Sequence, residues 1–303
     1  MSKPIRDLAK RIVPKPLLIS GWQAFCRFRA RKARAAFQQA GTMPEYLGQD
    51  VLARLQQYYT PVKWDYHYDE ESLRRRGHQR AKQMLDLVRE EQADLQHFLD
   101  LGAWDGMSCA ALQHLGKRTA GIDIRAEGFE EAAARSGVTF LQMDAAELGF
   151  AENSFDFAFS FNSFEHFPDP EAVLREAIRV VRPGGYIYLD FGPLYWSEKG
   201  AHQFRAINVP YNQCLFSKET LEAYADAEGL ELMGFFWMNQ WSIEQYRALW
   251  KKYEAQVERI LYYETYNADH VDLIVRYPTC FKSKSDNFDD FLVAYIEVLF
   301  QVS

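Results

Sequence analysis

Beyond residue 97 the chain settles into one alternation, and it limits the possible folds more than any other feature. Apolar runs of strand length ("HFLDLG", "RTAGIDI", "VTFLQMD", "FDFAFSFN", "GYIYLDFG") are separated by segments with helical spacing, such as "AEGFEEAAARSG" and "PEAVLREAIRVV". Strand, helix and strand in succession mean crossover connections, hence an α/β fold whose parallel sheet is covered on both faces. Ser217 is placed to cap a helix over "SKETLEAYADAEG" that ends at Gly229. "LELMGFFWM" and "FLVAYIEVLFQV" are expected as two further strands. The Trp- and Tyr-rich segment between them, about 242–290, is too long for a hairpin turn and is expected to form a helical cap insert.

Two segments precede this alternation. Residues 1–45 form a basic arm. "GWQAFCRFRARKARAAFQQAG" within it has helical spacing, with Trp22, Phe25 and Cys26 on one side, and ends at Gly41 and Pro44. Residues 46–95 read as a polar helical preface interrupted by the aromatic patch "YYTPVKWDYHYD", and residues 96–303 as the α/β domain with its insert. Charge follows the same division. Residues 1–36 hold ten Lys/Arg against one acid, Asp7, giving +9; the 303-residue chain carries −7, so the remainder carries −16. An acidic body argues against nucleic acid as a partner. The cationic helix has two readings, a solvated helix packed on the body or a peripheral contact of residues 1–40 with an anionic membrane. Four cysteines without C-x-x-C spacing suggest reduced thiols. No apolar run reaches the roughly 18–20 residues of a membrane span. A cytoplasmic location is expected, with the inner face of the membrane as its variant.

The turn "FLDLGAWDGMSCAALQHL", residues 98–115, indicates the ligand class. A dinucleotide turn, G-x-G-x-x-G, would place glycines where this chain has Trp104 and Met107, so a pyrophosphate could not approach the backbone. A phosphate-cradling Gly-Lys-Ser/Thr is also missing. What remains is Asp100-x-Gly102-x-x-x-Gly106, which suits a ligand with an amino-acid-like moiety. Gly102 lets it lie on the turn, Gly106 lets the helix start close to the strand, and Asp100 can hold an ammonium group. Asp123 ends the second strand at a distance suited to ribose hydroxyls, and Asp144 ends the third, where a carboxylate can accept from an exocyclic amine.

With "LDLGAWDG", "GIDI", "QMDAAEL" and "SFDFAFSFNSFEHFPDPEAVLREAIRVVRPGGYIYLDF" in this order and at these intervals, the chain resembles the class I S-adenosylmethionine-dependent methyltransferases of the small-molecule type over about residues 97–238. The resemblance implies a Rossmann-like, doubly wound seven-stranded sheet with the last strand antiparallel. It implies S-adenosylmethionine as cofactor, with the methionyl part at Asp100, Gly102 and Gly106, the ribose at Asp123 and the adenine at Asp144. The family often has Gly at the position of Trp104, whose indole is read either as projecting over the methionyl group or as packing on the adjoining helix.

Methyl transfer needs an aligned nucleophile and, for a hydroxyl, a proton acceptor. Ligands bind at the carboxyl ends of the strands, so the loops after strands four and five are the place to look. "NSFEHF" brings Asn162, Glu165 and His166 to i, i+3 and i+4, and "FGPLYWSEKGAHQF" supplies Tyr195, Trp196, Glu198 and His202. The set Asn162, Glu165, His166 and His202 resembles the metal-binding set of small-RNA 2′-O-methyltransferases and ubiquinone O-methyltransferases, in which the first member is normally Glu. Mg²⁺ or Mn²⁺ held there would acidify an acceptor hydroxyl. The other readings are His202 or His166 as a metal-free base, or a structural turn. Tyr195, Trp196, Trp237 and Trp241 could stack on a sugar or aromatic ring, or pack in the core. The expected activity is O-methylation of a sugar or lipid-linked envelope glycan. The alternatives are methylation of a quinone or natural-product scaffold and an inactive cofactor-binding scaffold.

Overall fold

The computed structural model describes residues 14–60, 67–91, 93–125, 127–203, 206–232 and 238–303. Seven strands make one sheet in the order β3-β2-β1-β4-β5-β7-β6. They are β1 (His97–Leu101), β2 (Arg118–Asp123), β3 (Thr139–Gln142), β4 (Phe155–Phe161), β5 (Val181–Phe191), β6 (Val257–Tyr266) and β7 (Val293–Val302). The first five pair parallel, and β7 runs antiparallel to both β5 and β6. Seven strands, parallel except for an antiparallel last strand, are as expected. Every residue of β4 is buried, because a central strand of such a sheet is covered on both faces.

The helices form where capping chemistry and spacing agree. Asp169 accepts from the Ala172 N–H and Pro170 occupies the first turn of the helix Pro170–Val180. Ser217 accepts from the Thr220 N–H at the start of the helix Lys218–Glu228, which Gly229 ends in the left-handed region at φ 63°. The crossover between β2 and β3 differs from expectation. "AEGFEEAAARSG" forms only one helical turn, Glu131–Ala134, bracketed by Gly128 at φ 112° and Gly137 at φ 86°, conformations that a helix cannot continue through.

The segment 242–290 also differs. It holds a helix, Ile243–Lys252, started by a capping box between Ser242 and Gln245, and two short helical pieces. It also contributes β6, a strand of the sheet itself, so it is not a helical cap alone. The alternating tyrosines of "VERILYYETY" are strand residues rather than cap aromatics. Of the strand expected at "LELMGFFWM", residues 233–237 lie outside the described residues, as do Trp237 and the middle of the aromatic patch, 61–66.

The arm is two helices, α1 (Lys15–Arg29) and α2 (Arg31–Gln39), docked on the body. Cys26, Ala30, Ala33 and Phe37 are buried. Trp22 Nε1 donates to the Tyr266 carbonyl at 2.7 Å and Gln23 Nε2 to the Glu264 carbonyl at 2.8 Å. Lys15 pairs with Glu297 (2.7 Å), Arg29 with Asp269 (2.9 Å) and Arg34 with Asp289 (2.6 Å). The opposite charges of arm and body thus meet in part at this seam. The preface supplies α3 (Gln49–Tyr58) and α4 (Glu70–Leu87). The latter lies across α5 (Met107–His114), the helix that starts at Gly106.

The crossing of α4 over α5 is tight at Gly77, where an added Cβ would run into the Met107 carbonyl. Because that neighbour is backbone, α4 must move. Gly77→Ala is expected to lower unfolding free energy by about 1–3 kcal/mol despite the better helix propensity of alanine, and denaturant titration of the two proteins measures it.

Candidate functional site

The turn after β1 is built by two left-handed glycines. Gly102 has φ 80°, and a Cβ there would come within 2.7 Å of the Ser163 side chain; Gly106 has φ 74°, and its Cβ would enter the Phe140 ring. Both positions therefore need glycine, for backbone conformation and for room. Between them Trp104 also takes a positive φ, 46°, and turns its indole outward, 49% exposed. The Arg125 guanidinium lies 4.7 Å from the indole centroid and the Tyr68 ring stacks at 6.5 Å. Of the two readings of Trp104, the geometry is that of a side chain projecting from the turn.

The three strand-end acids lie along one edge of the sheet. Asp100, on β1, is buried, and burial pushes its carboxyl up to about 8 while the charge of Arg80 opposes the rise. Asp123, ending β2, accepts from the Trp104 N–H at 3.1 Å and from the Arg125 N–H and Nε at 3.1 Å each. Asp144 follows β3, is exposed, and accepts from the Ala146 N–H at 2.8 Å.

On the other side of the switch in strand order, β4 and β5 deliver the second group. Glu165 lies in a 3-10 turn, Phe164–His166, and is 1% exposed. Its Oε1 accepts from the Gly192 N–H at 3.1 Å, whereas Oε2 has no hydrogen-bond partner, and burial pushes the carboxyl up to about 8. His166 Nε2 is 3.9 Å from Glu165 Oε1, and its ring meets that of His202 edge-on at 5.2 Å. His202 Nε2 is 3.3 Å from the Pro193 carbonyl. A carbonyl only accepts, so that nitrogen carries the proton and Nδ1 the lone pair. Burial and the neighbouring His166 push His202 down to about 4.

Other candidates take different places. Asn162 is exposed at φ 50°, and its backbone N–H donates to the Asp190 carbonyl. Tyr195 and Trp196 are half-buried against each other, ring centroids 4.8 Å apart, with Trp196 Nε1 donating to the Gln240 carbonyl. Trp241 packs against the core. Glu198 faces away from the histidine pair. It accepts from Asn267 and bonds His270 Nδ1 at 2.7 Å, tying the β5 loop to the end of β6.

A divalent ion does not fit these residues. Among the described residues no three His, Cys, Asp or Glu side chains converge as a metal site. Glu165 Oε1 is held by a backbone amide and His202 Nε2 by a carbonyl. The expectation of Mg²⁺ or Mn²⁺ on Asn162, Glu165, His166 and His202 is therefore withdrawn.

Two residues that sequence reasoning missed stand in the middle. Arg80, on α4, places its guanidinium 4.9 Å from the Phe161 ring centroid, and its charge favours the ionised forms of Asp100, Asp105, Glu165 and Asp190. The sequence signal was Gly77 inside a helical run of arginines, since a glycine there marks close approach of the helix to something. Tyr295, on β7, is 40% exposed; burial of its hydroxyl and the charges of Glu165, Asp190 and Glu198 push it up to about 12.

A glycine turn and a strand-end acid on each of the first two strands stand on one side of the switch point and a buried acid–imidazole group on the other, at the edge where ligands of such sheets bind. The family profile described as methyltransferase domain matches residues 99–189, so this segment is a methyltransferase domain. An arsenite methyltransferase of Aquipseudomonas alcaligenes is 32% identical over 136 residues, covering 39% of this chain and 38% of that protein. A sarcosine/dimethylglycine N-methyltransferase of Halorhodospira halochloris is 34% identical over 134 residues, covering 41% and 48%. A fatty-acid O-methyltransferase of Mycolicibacterium smegmatis is 35% identical over 79 residues, covering 25% and 29%. The chain thus spans less than half the length of these relatives. Among solved structures, the PH0226 protein from Pyrococcus horikoshii has a TM-score of 0.42 at 16% identity, covering 80% of this chain and 96% of that one.

The raised carboxyls set a pH dependence. Burial pushes the Glu165 carboxyl up to about 8 in the fold, from an ordinary value of 4.5. Its contribution to stability is therefore fully present below about pH 4 and is lost as pH rises through about 8. Glu165→Gln is expected to reduce the fall in Tm between pH 5 and 8.5, as measured by thermal scans across that window.

Proposed function

We propose that the protein is an S-adenosylmethionine-dependent O-methyltransferase acting on a hydroxyl of a sugar or glycan. The observation that carries the methyltransferase part is the joint placement of Asp100, Gly102, Gly106 and Asp123 at the carboxyl ends of β1 and β2. The donor set fits the cofactor: a buried carboxyl for the ammonium group, two left-handed glycines that shape the turn, an acid for the ribose, Asp144 for the adenine amine and Arg80 for the methionyl carboxylate. When bound, the cofactor supplies a methyl group on a sulfonium, already activated for in-line displacement.

The protein has two remaining tasks, alignment and deprotonation. Trp104 and Arg125 cover the turn, and the loops after β4 and β5 hold the acceptor. An acceptor hydroxyl held there would give up its proton to a base of this chain as the methyl group is transferred to its oxygen and the thioether leaves. His202 is the base in this reading, because its lowered pKa keeps the imidazole neutral over the physiological range and its Nε2 is oriented by the Pro193 carbonyl. His166 and Glu165 stand beside it, with Glu165 mostly protonated at neutral pH. Carboxyls, imidazoles and the Tyr295 hydroxyl at one loop cluster favour a polyhydroxyl acceptor over a flat aromatic one, which would call for an apolar slot.

Asp123→Ala is expected to weaken S-adenosylmethionine binding by about 1.5–3 kcal/mol, read by calorimetry; unchanged affinity would overturn the cofactor assignment. Transfer of labelled methyl to nucleotide sugars and glycans, compared with phenols and quinols, tests the acceptor. Turnover on phenols or quinols alone would replace the glycan reading, and no turnover on any class despite cofactor binding would favour an inactive scaffold.

His202→Ala should lower kcat by about 10²–10⁴. With His202 as base, kcat should fall on the acid side with a midpoint near 4, well below the ordinary imidazole value. An acid limb at the ordinary imidazole value would take this role away from His202.

A further inference from the structure

We propose that α1 docks on an anionic lipid surface and thereby holds the acceptor side of the sheet against that surface. The helix has two faces. Cys26 and, just past its end, Ala30 are buried against the body, but Leu17, Phe25 and Phe28 are exposed at 64%, 47% and 63%, and Trp22 at 46%. At 3.6 residues per turn, Leu17, Phe25 and Phe28 fall within about a quarter of the helix circumference. A helix that merely packs on its own protein has no use for phenylalanines on its outer side, whereas an interfacial helix buries such a face at the headgroup boundary.

Charge selects the occupant. Arg31 and Lys32 are exposed at the start of α2, and the Arg31 guanidinium lies 4.2 Å from the Phe28 ring centroid, whereas Arg27 donates to the Tyr266 hydroxyl at 3.0 Å and helps fix the helix on the body. The residues just before α1 add Lys3, Arg6, Lys10 and Arg11 against the single acid Asp7. Arg29, Arg34 and Lys15 are spent on the body, where they fix the orientation of the helix. Apolar rings bordered by cations match anionic headgroups over acyl chains. A second copy of this acidic chain would supply the charge but would need an apolar patch of its own.

The docked helix is wired to the acceptor loops. Lys15 bonds both oxygens of Glu297; Tyr188 donates its hydroxyl to Glu297 at 3.0 Å; and Gln83 Nε2 donates to the Tyr188 oxygen at 2.5 Å and to Asp190 at 3.2 Å. Asp190 lies two residues before Gly192, whose N–H holds Glu165. The first turn of α1 therefore stands beside the loop cluster, and an acceptor carried on lipid would be presented there. This last consequence rests on the methyl-transfer reading; lipid binding itself does not.

The test is co-sedimentation of the full chain with vesicles of phosphatidylcholine alone and of phosphatidylcholine with phosphatidylglycerol. Binding is expected only to the mixed vesicles, and release is expected as salt rises from 0.1 M to 1 M, where the screening length falls from about 10 Å to about 3 Å. Phe25→Glu and Phe28→Glu, both on the exposed face, should each weaken binding about fivefold or more while leaving S-adenosylmethionine affinity unchanged. Equal binding of wild type and both variants, or no binding of wild type to the mixed vesicles, overturns the proposal. So does a wild-type dimer in sedimentation velocity that Phe28→Glu dissociates, because the face would then belong to a second copy. Loss of cofactor binding in the wild type would count against the methyltransferase reading alone.

Discussion

Desolvation of carboxyl groups around a single guanidinium is the constraint on which the site depends. Asp100, Asp105 and Glu165 are buried and Asp190 is half-buried, and burial pushes all four upward. Arg80 is the common cation that opposes this, and it comes from outside the sheet, on a helix of the preface. Carboxyls left in low dielectric favour their neutral forms unless a positive charge arrives. A ligand bearing ammonium or sulfonium charge would supply one, so the arrangement is electrostatically tuned toward cations.

The backbone delivers these groups with little latitude. Gly77, Gly102 and Gly106 each stand where a side chain would collide, two of them with another element's backbone or a short side chain. Together they bring α4, the β1 turn and the start of α5 into one contact. The preface is therefore part of the site wall rather than a separate module, and the β1 turn cannot shift without moving Arg80.

What the sequence disclosed, and what it hid, follows from the range of the interactions. Helix starts at Asp169 and Ser217 and the stop at Gly229 depend on atoms within a few residues, and the continuous apolar run of β4 depends on burial common to any central strand. The glycine turn with Asp100 and Asp123 is likewise local. β6 was hidden because most of its residues are exposed or half-buried, so it lacks the apolar run of an inner strand. The helix expected after β2 failed because glycine conformation overrode spacing. Arg80, Tyr295 and the turning away of Glu198 toward His270 arise from contacts between distant segments, which no spacing encodes. The metal set looked plausible as four residues in order and dissolved once Glu165 Oε1 was found on a backbone amide and His202 Nε2 on a carbonyl.

One feature of the arm has a meaning beyond docking. β6 closes the sheet on one side and, among the described residues, pairs with β7 alone. Trp22 and Gln23 donate to the carbonyls of Tyr266 and Glu264 on that strand. An open edge of ten residues is a template on which another chain can add a strand, and aggregation begins that way. By occupying those acceptors with side chains, α1 works as a gatekeeper of solubility. A protein shortened by its arm would expose a sticky border at the moment it lost its cations.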